Sequence, residues 1–200
     1  MASIVVVGDG PGGLSAALFL AKGGHVVTVF GKDETAVHRA LLRNYLGLPE
    51  MLGTEFQQIA RRQAEGFGAT LRDERVVAVA ADDGFIVELE GGETARGDYL
   101  VLSEGKNVQL ATALGLARSE VGIAVDGEYR SSLDRCYVVG RSARPTRSQA
   151  IISAGAGAAA ALDILAREAG HDVQDWDKPP DGELTDSASR RGREGAPTRS

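Results

Sequence analysis

Cysteine is nearly absent. Cys136 stands alone in 200 residues, so this chain can form neither an internal disulfide nor a Cys-x-x-Cys dithiol. It lies in Cys136-Tyr137-Val138-Val139, the pattern of a buried strand, where a thiol acts as a small apolar side chain. Histidine is almost as scarce. His25, His38 and His171 are scattered without metal-ligand spacing, and no metal site is expected. No spacing of serine, histidine and aspartate argues for a catalytic triad either. Positive charge is in deficit, with a formal net charge of −6, which speaks against nonspecific nucleic-acid binding. No segment reads as an apolar run long enough to cross a bilayer. The N-terminus lacks a basic n-region and a cleavage site, and its first apolar run reads as a strand. These absences predict a cytoplasmic protein without nucleic-acid or membrane partners.

What is present points to an α/β domain. Hydrophobic residues make up 43% of the chain and glycines number 26, and the length suits one domain that buries its own core. Residues 4–30, IVVVGDGPGGLSAALFLAKGGHVVTVF, carry the strongest signal. An apolar run from Ile4 to Val7 stops at Gly8-Asp9-Gly10-Pro11-Gly12-Gly13. A helical pattern follows, and a β-branched run from His25 to Phe30 closes the unit. A G-x-G-x-x-G match between a strand and a helix predicts a dinucleotide site. Gly8 makes the tight turn, Gly10 lets a pyrophosphate reach the backbone, and Gly13 lets the helix lie close to the strand. The helix N-terminus offers unpaired N–H groups and the positive end of its dipole to the phosphates.

Further along, residues 31–52 read as irregular, with a turn at Tyr45-Leu46-Gly47-Leu48-Pro49. The spacing of Phe56, Ile59, Ala60 and Ala64 predicts a helix from Gly53 to Gly66, and Gly68 to Leu71 resumes the parallel sheet. Val76 to Ala80 and Phe85 to Leu89 alternate around Asp82-Asp83-Gly84, a hairpin signal. Gly91-Gly92 turns into a third strand of a small antiparallel meander. Buried strands are expected at Tyr99–Leu102, Ile123–Asp126 and Cys136–Val139, with a short helix around Val108 to Leu114. A long helix runs from about Gln149 to Ala169. Its middle, Ala154 to Ala160, has so little side-chain bulk that it suits close packing on the sheet or on a ligand. Residues 1–170 thus form the domain and 171–200 a C-terminal tail. Within that tail Asp181 to Ser200 is expected to be disordered, and Trp176 to dock on the domain surface.

Four segments now support a family likeness: GDGPGGLSAALFLAKGG, NYLGLPEMLGTEFQQIARRQAEGFGATL, DYLVLSEG and GEYRSSLDRCYVVGRSARPTRSQAIISAGAGAAAALDIL, together covering most of residues 3–170. On these segments the chain resembles the FAD-binding half of thioredoxin reductase and its relatives in the pyridine-nucleotide-disulfide oxidoreductase group. The first segment is shared by many flavin and nicotinamide enzymes; the second and fourth, in this order, are more specific. The resemblance implies an FAD/NAD(P)-binding Rossmann-like fold, with a central parallel sheet, helices and a small antiparallel β-meander. It implies FAD, with its pyrophosphate on Gly8, Gly10, Pro11 and Gly13 and its adenine along the strand starting at Val76. Ser103 and Gly105 would flank the dinucleotide. Asn44 and Tyr45 would approach the flavin side, and Gln149 and Ala150 would sit under the isoalloxazine ring. A helix N-terminus there stabilises the negative charge that reduction places near the N1–C2 carbonyl, with Ser148 as its N-cap.

The sequence also departs from that family. Only Lys106 to Val121 stands where a nicotinamide-binding domain is usually inserted, which is too short for a second βαβ fold. The dithiol is missing. The ribose-binding acid expected about 20 residues past the glycine turn falls near Gly31. Asp33 or Glu34 would replace it if the loop shifts, whereas Lys32 would favour a 2′-phosphate. After Gly140, Arg141 stands where the family has an aspartate facing the ribityl chain. Arg141, Arg144 and Arg147 form a basic run that meets phosphate, an anionic substrate or solvent. His38, Arg39 and Arg43 lie in the loop nearest the expected ring. The leading reading is an FAD-dependent oxidoreductase whose electron donor or acceptor is not disclosed, with a homodimer among the possible assemblies. Two alternatives stay open: a noncatalytic FAD-binding redox module acting through a partner, and an NAD(P)-binding protein without flavin.

Overall fold

Alternation along the first strand, β1 (Ser3–Val7), divides the core in two. Ile4 and Val6 face one apolar cluster, while Val5 and Val7 face another. A strand buried on both faces has no polar side to show, which is why β1 reads as a continuous apolar run. In the computed structural model, which describes residues 1–179, β1 leads to α1 (Pro11–Lys22) and β2 (Val26–Phe30). A short hairpin, β3 (Leu41–Leu42) and β4 (Met51–Leu52), precedes α2 (Gly53–Gly66) and β5 (Thr70–Arg72). The meander β6 (Val76–Ala81), β7 (Phe85–Leu89) and β8 (Thr94–Gly97) follows, then β9 (Tyr99–Leu102), α3 (Gln109–Ala113), β10 (Cys136–Val138) and α4 (Ala150–Ala169).

The central sheet is parallel in the order β10-β9-β1-β2-β5. Between β1 and β9 the chain direction of strand addition reverses, and crevices for ligands open at such switch points beyond the carboxyl ends of the strands. One face is covered by α1 and α4 and the other by the antiparallel meander β6-β7-β8.

The bulk-free middle of α4 packs closely on α1. A Cβ at Gly157 would collide with the Gly12 carbonyl and lie 2.9 Å from the Ala16 amide nitrogen, whereas Gly155 faces open space. Gly157 is therefore the residue that sets the approach of the two helices. By length and mean hydropathy of 1.4, α4 is apolar enough to cross a membrane, contrary to the sequence expectation. Here it is a core helix that buries Ala156, Ala160, Ala161 and Ile164. Its buried Asp163 accepts from the Arg130 guanidinium and, at 2.5 Å, from the Tyr137 hydroxyl.

Three further expectations are corrected. Ile123–Asp126 is not a strand. Ile123 makes one isolated bridge to Arg118 and donates its N–H to the Ser142 carbonyl at 3.2 Å, so it crosses the sheet's end without a ladder. The 31–52 stretch is less irregular than expected, holding a 3₁₀ turn at Ala36–Arg39 and the β3–β4 hairpin. Trp176 does not dock, being 82% exposed. Its neighbours Asp175 and Asp177 tie the segment to Lys22 on α1, each at 2.5 Å. The stretch Asp181–Ser200 lies outside the described residues.

Candidate functional site

The glycine turn leaves β1 through Gly8, whose φ of +99° is a left-handed conformation suited to glycine. Its N–H donates to the Phe30 carbonyl at 2.8 Å, and the Ser103 N–H reaches the Val7 carbonyl at 2.7 Å. The turn is thereby sewn to both neighbouring strands. A Cβ on Gly8 would strike the Ser103 carbonyl, and one on Gly13 would strike the carbonyl of Gly8. Gly10 differs. Its φ is −73°, and a Cβ there would meet only the Thr35 methyl carbon at 3.9 Å. The protein's own packing does not require glycine at this position. Gly10 is also the N-cap of α1 and brings no side-chain acceptor to the first turn, so the early N–H groups remain available to a ligand.

A cleft of about 800 Å³ runs across the switch point, within the size range of small-molecule and cofactor sites. Gly8, Gly10, Pro11 and Gly12 form its floor, and Gly31, Lys32, Glu34 and Val76 line one part of the wall. Ser103, Gly105, Gly140, Arg141, Gln149 and Ala150 line the rest. Two buried polar atoms on this wall have no partner, the Thr35 hydroxyl and the Arg141 Nε. Buried groups of this kind are usually satisfied, so both mark places where a ligand has something to bind.

Three of the sequence-derived site residues are not part of the wall. Gly13 sits behind it, where the absence of a side chain serves the close contact with Gly8. Asp33 turns away to pair with His38 at 3.0 Å. Asn44 is outside the wall but donates from Nδ2 to Gln149 Oε1 at 3.1 Å. Tyr45 packs on Phe56 of α2, ring centroids 5.4 Å apart. The N-cap of α4 is Gln149, not Ser148, and no side chain caps it. Of Arg141, Arg144 and Arg147, only Arg141 lines the cleft, where Lys32, Arg75 and Lys106 are the other basic residues. Arg39, Arg144 and Arg147 are exposed, and Arg43 pairs with Glu50 at 2.5 Å.

The sequence reading missed the support beneath the turn. Asp9, only 4% exposed, is gripped twice by α2. Gln57 donates to its carbonyl at 2.7 Å, and Arg61, one helical turn on, pairs with its carboxylate and also with Asp73 at 2.7 Å. Burial pushes the Asp9 carboxyl above the ordinary carboxylate range, against the opposing pull of Arg61 and the Asp33 N–H. An acid inside a glycine turn, with Gln57 and Arg61 at helical spacing, was the available signal. Glu104 was also unforeseen. Its carboxylate takes the N–H groups of Leu110 and Ala111 at 2.8 and 3.0 Å, holding α3 against the end of β9.

Cys136 is fully buried, and burial pushes its thiol up to about 12, so it is not a nucleophile at neutral pH. Among the described residues no group of histidine, cysteine or carboxylate side chains suits a metal ion.

No family model matches the sequence, and no curated protein matches it. Solved structures match by fold. A thioredoxin reductase from Gloeobacter violaceus superposes with a TM-score of 0.79 at 17% identity, over 88% of this chain and 99% of that one. The structure named HlmI gives 0.78 at 18% identity, over 95% and 96%. A ferredoxin-flavin thioredoxin reductase from Clostridium acetobutylicum gives 0.69 at 17% identity, over 84% and 98%. The chain has the FAD/NAD(P)-binding, Rossmann-like fold of the thioredoxin reductases.

Proposed function

We propose that this chain is an FAD-dependent oxidoreductase domain on the thioredoxin reductase fold, whose flavin exchanges electrons with a small molecule or a partner protein. Gly10 carries the reading. It is a glycine that neither its backbone angles nor its neighbours require, at the floor of a cleft of about 800 Å³. The unpartnered Thr35 hydroxyl and Arg141 Nε suit an anionic ligand with hydroxyls. In this proposal Gly8, Gly10, Pro11 and Gly12 hold the pyrophosphate. Val76 borders the adenine, and Ser103, Gly105, Gly140 and Arg141 flank the linking chain. Gln149 and Ala150 bring the positive end of α4 to the ring. FAD, when bound, supplies the electron-transfer chemistry, while the chain positions it and sets its electrostatics.

Between Gly105 and Ile123 the described chain holds α3 and no strand, and its single cysteine provides no dithiol. Electrons are therefore proposed to reach the flavin from outside this chain. A ferredoxin-flavin thioredoxin reductase among the structural neighbours favours an electron-carrier protein as one such source. Reconstitution with FAD, followed by turnover with NAD(P)H and an artificial acceptor, tests the proposal. A yellow protein with flavin absorption bands and measurable turnover is expected. A colourless protein that takes up no added FAD overturns the cofactor. Bound FAD without turnover from any donor favours a noncatalytic redox module.

A further inference from the structure

The end of β2 is where dinucleotide sites place the acid that accepts ribose hydroxyls, and this chain has Gly31 there. Nothing in the backbone calls for glycine at that point, since Gly31 is not among the residues with positive φ. What excludes a side chain is Asp9. The three atoms nearest a Cβ on Gly31 all belong to the Asp9 side chain, including its Cβ at 2.7 Å. The carboxylate missing from the strand end thus lies over the same spot, delivered from the glycine turn.

Its two oxygens are in different situations. Oδ2 accepts the Asp33 N–H at 3.0 Å and pairs with Arg61. Oδ1 takes no hydrogen bond from another described residue. Both Asp9 and Gly31 line the cleft. One oxygen fixes the carboxylate and the other keeps acceptor capacity beside the cleft, the arrangement of an anchored acceptor. The other acids nearby are less suited. Asp33 is turned to His38 outside the wall, and Glu34 is exposed and lies 3.3 Å from Arg75.

We propose that Asp9 accepts the ribose hydroxyls of an adenine nucleotide in this cleft, doing from the glycine turn what an acid at position 31 does elsewhere. This rests on the nucleotide-binding reading above but not on the flavin half of it. The test is calorimetric titration of the full chain, cleared of bound nucleotide, with ADP and with 2′,3′-dideoxy-ADP. FAD uptake is followed separately by absorbance. The native chain is expected to prefer ADP by about tenfold or more, the scale of a hydrogen bond to a charged group. Asp9→Asn should bring the two ligands within about twofold of each other on the same ground, loss of the charged acceptor. The exchange Asp9→Ser with Gly31→Glu, which clears the obstacle and returns the acid to the strand end, should restore the preference. A merely structural Asp9 would change the affinity for both ligands alike and leave their ratio unmoved.

Equal binding of the two ligands by the native chain, no ADP binding, or an unchanged ratio in Asp9→Asn overturns the role. If Asp9→Asn does not fold, the exchange variant decides, because loss of the preference there overturns the role and retention supports it. The flavin reading stands or falls separately. Discrimination of ADP without FAD uptake would keep Asp9 and remove the flavin, and unchanged FAD affinity in Asp9→Asn would do the reverse.

Discussion

Asn44 donates to Gln149 at 3.1 Å, joining the loop before α2 to the N-cap of α4. The two residues come from opposite halves of the chain, and the bond stands at the end of the cleft where the ring is proposed to lie. The bond is exposed, so its contribution to global stability is about 1 kcal/mol or less. Asn44→Ala should therefore melt close to the native protein while releasing FAD several-fold faster, as seen in the rate of flavin fluorescence recovery on dilution. A large fall in melting temperature with an unchanged release rate would count against this division of labour.

Gly10 and Gly13 should separate ligand binding from folding. Gly10→Val places its Cβ in ordinary contact with the Thr35 methyl carbon at an ordinary φ, so the far-ultraviolet dichroism should persist while the proposed FAD uptake is lost. Gly13→Val drives its Cβ into the Gly8 carbonyl and should cost about 3 kcal/mol or more, the upper range for overpacking. Urea unfolding of the two variants side by side distinguishes them, and stoichiometric FAD in Gly10→Val would refute the placement of the pyrophosphate.

Cys136, buried and with its thiol pushed up to about 12, should resist iodoacetamide at pH 8 in the native protein and react promptly in denaturant. Cys136→Ser should leave any reductase turnover largely unchanged. Rapid modification of the folded chain would show that the strand opens readily.

Asp163 ties α4 to Tyr137 and Arg130. Burial alone would raise its pKa, but Arg130 and the Tyr137 hydroxyl outweigh burial and hold it below the ordinary 3.8. The unfolded chain therefore binds the proton first as pH falls. The stabilisation is whole above about 3.8 and is lost as pH drops through the depressed folded value. Asp163→Asn should cost about 1–2 kcal/mol at neutral pH, the scale of hydrogen bonds to a charged group, because water compensates the half-exposed Arg130. It should also flatten the acid limb of the stability curve measured by urea titration. An acid limb unchanged in the variant would assign acid sensitivity to other carboxylates.

The order of elements was legible because each signal was local. The apolar run at Ile4–Val7, the glycines after it and the helical spacing of Phe56, Ile59, Ala60 and Ala64 need only neighbouring residues to be read. The meander was readable for the same reason, since Asp82-Asp83-Gly84 announces its own turn. What escaped depends on contacts between distant segments. The contact of Gly157 with α1 could not be read, because nothing in its sequence surroundings names that helix as the partner. Ile123 carries strand composition, but a strand also needs an open ladder, and only Arg118 pairs with it. The gap at Gly31 was visible in the sequence. Its cause was not, because Asp9 and Gly31 exclude each other only once β1 and β2 lie side by side.

The contact of Gly157 with Gly12 has a consequence for the order of events during synthesis. The glycine turn is encoded by residues 8–13, yet its carbonyl at Gly12 meets α4, and Gly8 turns against Ser103. The turn cannot complete its packing until residues near 157 have been made. Long-range closure of this kind folds slowly and leaves apolar surface exposed while it waits. The βαβ unit of β1, α1 and β2 thus keeps apolar surface exposed until α4 arrives.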